Sequence, residues 1–323
     1  MIRPTAYLEK ITDDFGVWQH TKKGKILRSE GYALDDSARA LIVFLLYNKK
    51  KFAQICLQYL ENSLVGNNLV GFFNQERKSV AFPASYDAFA LALWALGFAV
   101  EKNFEVKRCT QLLSSLDPNY TSQDVHIRPR AYSLAAYSHL GDKKLAEISL
   151  KYLVDNYASR SNKWFEDYLF YANAAIPYSI LLYLLKFNIS HKKYDTILLE
   201  SINTLEREMR IGKIPAPIGN RKRHEISGNA NNHFGQQPID AAFMVLMLTL
   251  AFKYFKNSEY LREAKDWMDW FYGNNICHTS LVTPENACAD GIDENCISQN
   301  FGAESTIMYL WARHEYETIT KIS

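Results

Sequence analysis

Apolar positions recur at helical spacing along the whole chain, in two alternating styles. Over 194–209, Leu198, Ile202, Leu205 and Met209 form one stripe, with Asp195, Glu200, Glu206 and Arg207 off it. Leu261, Ala264, Trp267, Met268 and Phe271 repeat the pattern over 258–273, as do Leu145, Ile148, Tyr152 and Leu153 over 142–156. One apolar stripe and one polar face predict helices half in contact with protein. The stretches between them are apolar on nearly every side: Ala38 to Tyr47, Ala88 to Val100, Ala131 to Leu140, Leu169 to Leu185 and Ala241 to Phe252. A helix apolar all round is enclosed by other helices. The pattern therefore predicts outer helices near 4–15, 51–64, 104–116, 142–157, 193–210 and 258–273. Inner helices are expected near 35–48, 86–101, 128–140, 167–187, 237–255 and 300–318.

The connections alternate too. Outer helices follow short links at 48–51, 101–103, 141–142, 188–192 and 256–258. Inner helices follow long segments at 16–30, 65–85, 117–128, 158–165, 211–236 and 274–299, rich in aromatic, amide and acidic residues. With alternate helices antiparallel, all the long segments and all the inner-helix starts fall on one rim, where elaborated loops build a site. No strand-rich block, βαβ pattern or Pro/Gly/Ser linker interrupts the series. An open superhelix of hairpins would also alternate, but these units differ in length and share no repeat consensus. The expected architecture is all-α, an (α/α)6 toroid of six inner and six outer helices forming a single domain over 1–323.

The net charge of +2 gives no global field to recruit nucleic acid or anionic lipid. The run Arg221-Lys222-Arg223-His224 is local, either a solvated turn or a contact for an acidic sugar or phosphate. The N-terminal residues lack the apolar region of a signal peptide. The longest apolar run, Ala241 to Phe252, is shorter than the ~20 residues of a membrane span. Five cysteines, an odd number, argue against a disulfide framework. These features lead to an expectation of a cytoplasmic protein. Cys277, His278, Cys288 and Cys296 share one loop, but at spacings that match no compact zinc site.

The inner helices open with charge: Asp35-Asp36, Asp87, Arg128 and Arg130, Glu166-Asp167, Asp240 and Glu304. Acids at helix starts are first of all caps. Paired acids exceed what one cap needs. Rings in the long loops (Trp18, Phe72, Phe73, Phe82, Trp164, Phe165, Phe234) suit sugar faces or simply pack beneath the loops. Amides at Asn229, Asn231, Asn232, Gln236, Gln237, Asn274, Asn275, Asn295 and Asn300 suit a polyhydroxylated ligand, or serve as turn formers. Carboxylates opposed across a cleft cleave glycosidic bonds. One, kept protonated, donates to the leaving oxygen, and the other activates water or attacks, at ~6.5–9.5 Å separation when the reaction inverts configuration.

The segments Trp270-Phe271-Tyr272-Gly273-Asn274-Asn275, Cys288-Ala289-Asp290-Gly291-Ile292 and Asn300-Phe301-Gly302-Ala303-Glu304-Ser305-Thr306 resemble a bacterial and archaeal family of all-helical domains. These stand alone or are fused behind nucleotide-sugar glycosyltransferases. Tyr32 to Ala40, Trp164 to Asp167 with Asn173, Ile218 to Asn220 and Gln236 to Ala241 agree with it. The resemblance spans residues 31 to 306 and implies an (α/α)6 fold and carbohydrate metabolism. The chain departs from the family at Gly235, where an acid is usual, at Asp240, where Glu is frequent, and at Phe301.

The expected function is glycoside hydrolysis of an oligosaccharide or glycoconjugate, with no cofactor or metal. Glu304 or Asp167 would be the general acid. Asp36, Asp87 or Asp240 would serve as base or sugar-binding carboxylate. Trp164, Glu166, Arg130, Asn274, Asn275, Asp290, Asn300 and Gln237 are expected to bind substrate. Arg128 and Arg130 would hold an acidic group or neutralise the acids. Two other readings stand beside this. One is a sugar epimerase, a chemistry that usually needs a base such as His, although no inner helix opens with one and His126 and His233 lie just upstream in loops. The other is a non-catalytic glycan-binding partner of a glycosyltransferase. Glycosyl transfer itself is disfavoured, because the chain carries no α/β nucleotide-sugar fold.

Overall fold

A computed structural model describes residues 3–123, 126–221, 223–226, 234–294 and 296–321. Twelve α-helices are present among them. The inner set is α2 (Leu34–Leu46), α4 (Tyr86–Glu101), α6 (Arg128–Leu140), α8 (Ala175–Lys186), α10 (Pro238–Phe255) and α12 (Ala303–Thr320). The outer set is α1 (Ala6–Lys10), α3 (Lys50–Asn62), α5 (Val106–Ser115), α7 (Lys143–Ala158), α9 (Lys192–Glu208) and α11 (Glu259–Phe271). Each inner helix packs on the next around a ring, and α12 packs on α2 to close it. The Tyr47 hydroxyl donates to the Leu310 carbonyl at 3.0 Å across that seam. The (α/α)6 toroid read from the sequence is thus the observed architecture.

Apolarity on every side is what the ring demands, since an inner helix touches two inner neighbours, an outer helix and the axis. In α10, every residue from Pro238 to Ala251 is buried. This helix is long and apolar enough to cross a membrane, but most of it is enclosed by the ring. The axis is filled by rings from five inner helices: Trp94, Tyr132, Tyr178, Phe243 and Trp311. Trp94 lies 5.1 Å from Trp311, 5.6 Å from Tyr178 and 5.9 Å from Tyr132, centroid to centroid. The barrel is therefore a plugged cup, with one mouth above the aromatic floor. Between α4 and α6 the approach is closest at Gly97, where a Cβ would meet the Ala136 carbonyl oxygen at 2.7 Å.

Three elements differ from expectation. Helix α8 begins at Ala175, not 167. Pro177 belongs in a first turn, where its missing N–H costs nothing. The backbone upstream is broken by Ala172 at φ +47°, and Tyr168–Leu169 pair antiparallel with His224–Glu225. Helix α1 ends early because the Asp13 carboxylate accepts from the amides of Phe15 and Gly16, turning the chain. On α7 the buried face is Ala146, Ser149, Leu150, Leu153 and Val154, while Ile148 is 53% exposed.

Candidate functional site

All six inner helices begin at the same mouth. The Tyr132 hydroxyl on α6 lies within electrostatic reach of Arg39 (α2), Asp87 (α4), Arg128 (α6) and Glu304 (α12). Asp240 on α10 interacts with Arg128 and Glu304. Arg128 bonds the Tyr171 carbonyl and the Asn173 side chain just ahead of α8.

The acids here are not caps. Helix α4 is capped by Ser85, whose hydroxyl accepts from the Ala88 amide at 3.2 Å. The residues preceding α2, α10 and α12 are Ala33, Gln237 and Gly302, and none makes a side-chain cap bond. Asp35, Asp36, Asp87, Asp240 and Glu304 occupy first-turn positions inside the helices. There the macrodipole favours negative charge while the side chains stay available.

A smaller lobe of about 140 Å³ is lined by His20, Asp35, Asp36, Gln237, Asp290 and Glu304. The buried Arg39 guanidinium sits beneath it, 3.0 Å from Asp35, 3.6 Å from Asp36 and 3.1 Å from Glu304. Three carboxylates around one cation leave an excess of negative charge. Burial raises the Glu304 pKa, Arg39 opposes the rise, and Asp35 and Asp290 add to it. Asp36 is raised well above the usual range, by burial first and then by Asp35, against the pull of Arg39. His20 is raised by its interaction with Asp290, the imidazole nitrogen lying 3.7 Å from the carboxylate. Asn300 ties this corner together. Its amide nitrogen contacts both Asp290 and His20 Nδ1, and its oxygen accepts from the Thr21 amide at 2.8 Å.

A larger lobe of about 550 Å³ is walled by Tyr86, Tyr168, Phe170 and Tyr171, with Asp87, His126, Arg128, Glu166 and Arg223 among them. Arg128 pairs with Glu166 at 2.9 Å and lies 4.7 Å from the Tyr171 ring centroid. Arg223 stacks over Tyr168 at 4.4 Å. Asp240, 1% exposed, interacts electrostatically with Arg128 of this lobe. Burial lifts its carboxyl to about 7, against the pull of Arg128 and of the backbone amides of Asn173 and Ala172.

The structure thus gathers Asp36, Asp87, Asp240, Glu304, Glu166, Gln237, Asp290 and Asn300 at the mouth, and moves five expected residues away. Asp167 is 78% exposed and pairs with Arg160 at 3.1 Å, because its segment is a surface loop and not the start of α8. Trp164 is fully buried against Phe165 and offers no face to a sugar. Arg130 points outward between helices, 4.7 Å from the ring of Tyr152 on α7. Asn275 is buried as a turn organiser, donating to the Trp270 and Thr279 carbonyls and accepting from the Cys277 amide. Asn274 is exposed beside that turn and lines neither lobe.

Of the loop rings, Trp18, Phe73, Trp164 and Phe165 pack as core, and Phe82 and Phe234 are surface-exposed. Gln236 is buried, accepting from the Trp270 indole at 3.2 Å. Asn229, Asn231, Asn232, His233, Asn295 and Lys222 lie outside the described residues. Sequence reasoning missed His20, Arg39, Tyr86, Tyr132, Tyr168, Phe170 and Tyr171. Among the described residues no three His, Cys, Asp or Glu side chains gather as a metal-ligand set.

No protein-family model matches the chain, and no curated protein matches it in sequence. Solved structures do match over nearly its full length. Cellobiose 2-epimerase from Bacillus thermoamylovorans B4167 aligns with a TM-score of 0.75 at 12% identity, covering 98% of this chain and 95% of that one. A D-mannose isomerase aligns at 0.72 and 13% identity, with 98% and 95% covered. A GH76 α-mannanase from Bacteroides thetaiotaomicron aligns at 0.64 and 9% identity, with 99% and 95% covered. At such identities the likeness establishes the (α/α)6 barrel, a fold that in these three structures carries sugar-processing enzymes.

Proposed function

We propose that the protein is a carbohydrate-active enzyme that cleaves a glycosidic bond at this mouth. The observation that carries the reading is Glu304. It is the carboxyl group that both opens to the smaller lobe, at 35% side-chain exposure, and is held above its ordinary pKa by burial and neighbouring acids. A carboxyl whose protonated form is favoured by burial and neighbouring acids is suited to act as general acid for a leaving sugar oxygen. Asp87, in the opposite lobe and within reach of the same Tyr132 hydroxyl, is the partner that activates water. Asp240 is too buried to touch a sugar and acts as a positioning group through Arg128. The aromatic walls of the larger lobe supply sugar-stacking faces. Structural neighbours that process cellobiose, mannose and mannan support a sugar substrate.

The test is incubation with gluco- and manno-oligosaccharides, with products resolved by mass spectrometry. Glu304→Gln should lower turnover by about 10²–10⁴-fold, the scale of general acid catalysis, while leaving saccharide affinity within about threefold. Unchanged turnover in Glu304→Gln overturns the assignment. Saccharide binding with no turnover in the wild type would instead identify a glycan-binding module.

His20 favours a second reading, epimerisation. Its imidazole lines the smaller lobe and is oriented by Asp290 and Asn300, as a proton-transfer base would be. Epimerisation in deuterated water incorporates solvent deuterium at the inverted carbon without splitting the sugar. Loss of that incorporation in His20→Ala would support it, and cleavage without exchange would eliminate it.

A further inference from the structure

We infer that the larger lobe selects a sugar residue bearing an anionic substituent, with Arg223 as the group that recognises it. This rests on the mouth being a saccharide site. The two lobes differ in charge. The smaller one sets Asp35, Asp36, Asp290 and Glu304 against Arg39 and His20. The larger one sets Arg128 and Arg223 against Asp87 and Glu166. Arg128 is committed, being bonded to Glu166, Asn173 and the Tyr171 carbonyl. Arg223 is not. Its guanidinium stacks 4.4 Å over Tyr168 and makes no ion pair with any described carboxylate.

Its position is built, not incidental. The next residue, His224, is 3% exposed, bonds Glu208 at 2.9 Å and pairs with Leu169 in the short antiparallel ladder. Glu225 pairs with Tyr168, the residue whose ring supports the guanidinium. Arg221, two residues upstream, is by contrast neutralised by Asp293 and Glu294. A planar guanidinium held over a ring, with its N–H edges unclaimed by acids, is suited to bidentate capture of a carboxylate or phosphate. Both a uronic acid and a sugar phosphate carry that chemistry.

The experiment measures binding of D-glucuronate, glucose 6-phosphate and D-glucose to the full-length protein by ligand-observed NMR titration. Arg223→Gln and Arg223→Lys are compared with the wild type. Binding is read without turnover, so failure of the cleavage assignment leaves this result intact, and the reverse also holds. The wild type should prefer at least one anion over glucose by about tenfold, the worth of a charge-assisted hydrogen bond pair. That preference should shrink with added salt. Arg223→Gln should bring the anion to within about twofold of glucose, and Arg223→Lys should retain part of the preference. Preference for only one anion identifies the substituent. Parity in the wild type, including absence of binding to all three, overturns the proposal, as does a preference unchanged in Arg223→Gln.

Discussion

Arg39 places its guanidinium beneath three carboxylates, and replacing it by Met tests whether the smaller lobe is held together by charge. Met keeps the length of the stem and removes the guanidinium. Breaking a fully buried ion pair from one side costs about 3–5 kcal/mol. Asp35 and Glu304 are 32% and 35% exposed and take up water when Arg39 leaves, whereas Asp36, at 4%, does not. The expected loss is therefore about 2–3 kcal/mol at pH 8. Unfolding entropy of roughly 2.1 cal/mol/K per residue gives roughly 0.7 kcal/mol/K for 323 residues, so the midpoint should fall by roughly 3–4 °C.

The pH dependence fixes the mechanism. Arg39 holds down the pKa values of Asp36 and Glu304, which burial and like charge push up. Without it they rise further. A carboxyl whose folded pKa exceeds its unfolded one destabilises the fold as pH climbs past the unfolded value. The deficit should thus be smaller at pH 4 than at pH 8. Thermal melts of both proteins at the two pH values read this directly. An equal deficit at both, or none at pH 8, would refute the electrostatic account and leave Arg39 as packing.

The Tyr132 hydroxyl is buried with no hydrogen-bond partner, so Tyr132→Phe should leave the melting temperature unchanged or slightly higher. Fully buried and lining neither lobe, the hydroxyl is out of a sugar's reach, so turnover should stay near the wild-type value, and a loss of about tenfold or more would contradict this. A destabilised variant with normal turnover would show the hydroxyl to be structural. Asp240→Asn removes a carboxyl whose pKa lies at about 7 in the fold against an ordinary value of 3.8. Wild-type stability should fall as pH rises between those values, and the variant, which does not titrate there, should gain on it by about 1.4 kcal/mol per pKa unit at most. Urea denaturation from pH 4 to 8 checks the divergence, and parallel curves would contradict the raised pKa.

The helices were legible because the toroid writes itself into the apolar pattern. Enclosure makes α4 and α10 apolar on every side, and exposure stripes α9 and α11. The pattern failed where something other than apolarity sets the boundary. The start of α8 is marked by Pro177 and by Asn173, whose side-chain oxygen accepts from the Phe170 amide at 3.0 Å. The apolar run through Leu169 masked that break. The buried stripe of α7 is offset from the apolar pattern, since Ile148 carries the apolar signal but Ser149 and Leu150 face the ring.

The site was legible to the extent that topology imposes it. Alternating short and long links oblige the inner helices to start together, and acids in their first turns then meet. What topology does not decide is which way an individual loop residue points. Trp164 and Phe165 share their loop with Glu166, yet the rings turn into the core and the carboxylate turns to Arg128. The rings that do wall the larger lobe, Tyr86, Tyr168, Phe170 and Tyr171, fall in apolar stretches of helical pattern, where periodicity gives no sign of a sugar platform. Arg39 was hidden for the opposite reason. A lone Arg in an apolar helix one turn below Asp35 and Asp36 has the i, i+3 and i, i+4 spacing of a charge partner for both. An inner helix cannot bury a cation without acids to meet it. That spacing, present in the sequence, points to a charged centre beneath the mouth, and it is the signal that separates acids paired with a buried cation from a ring of caps.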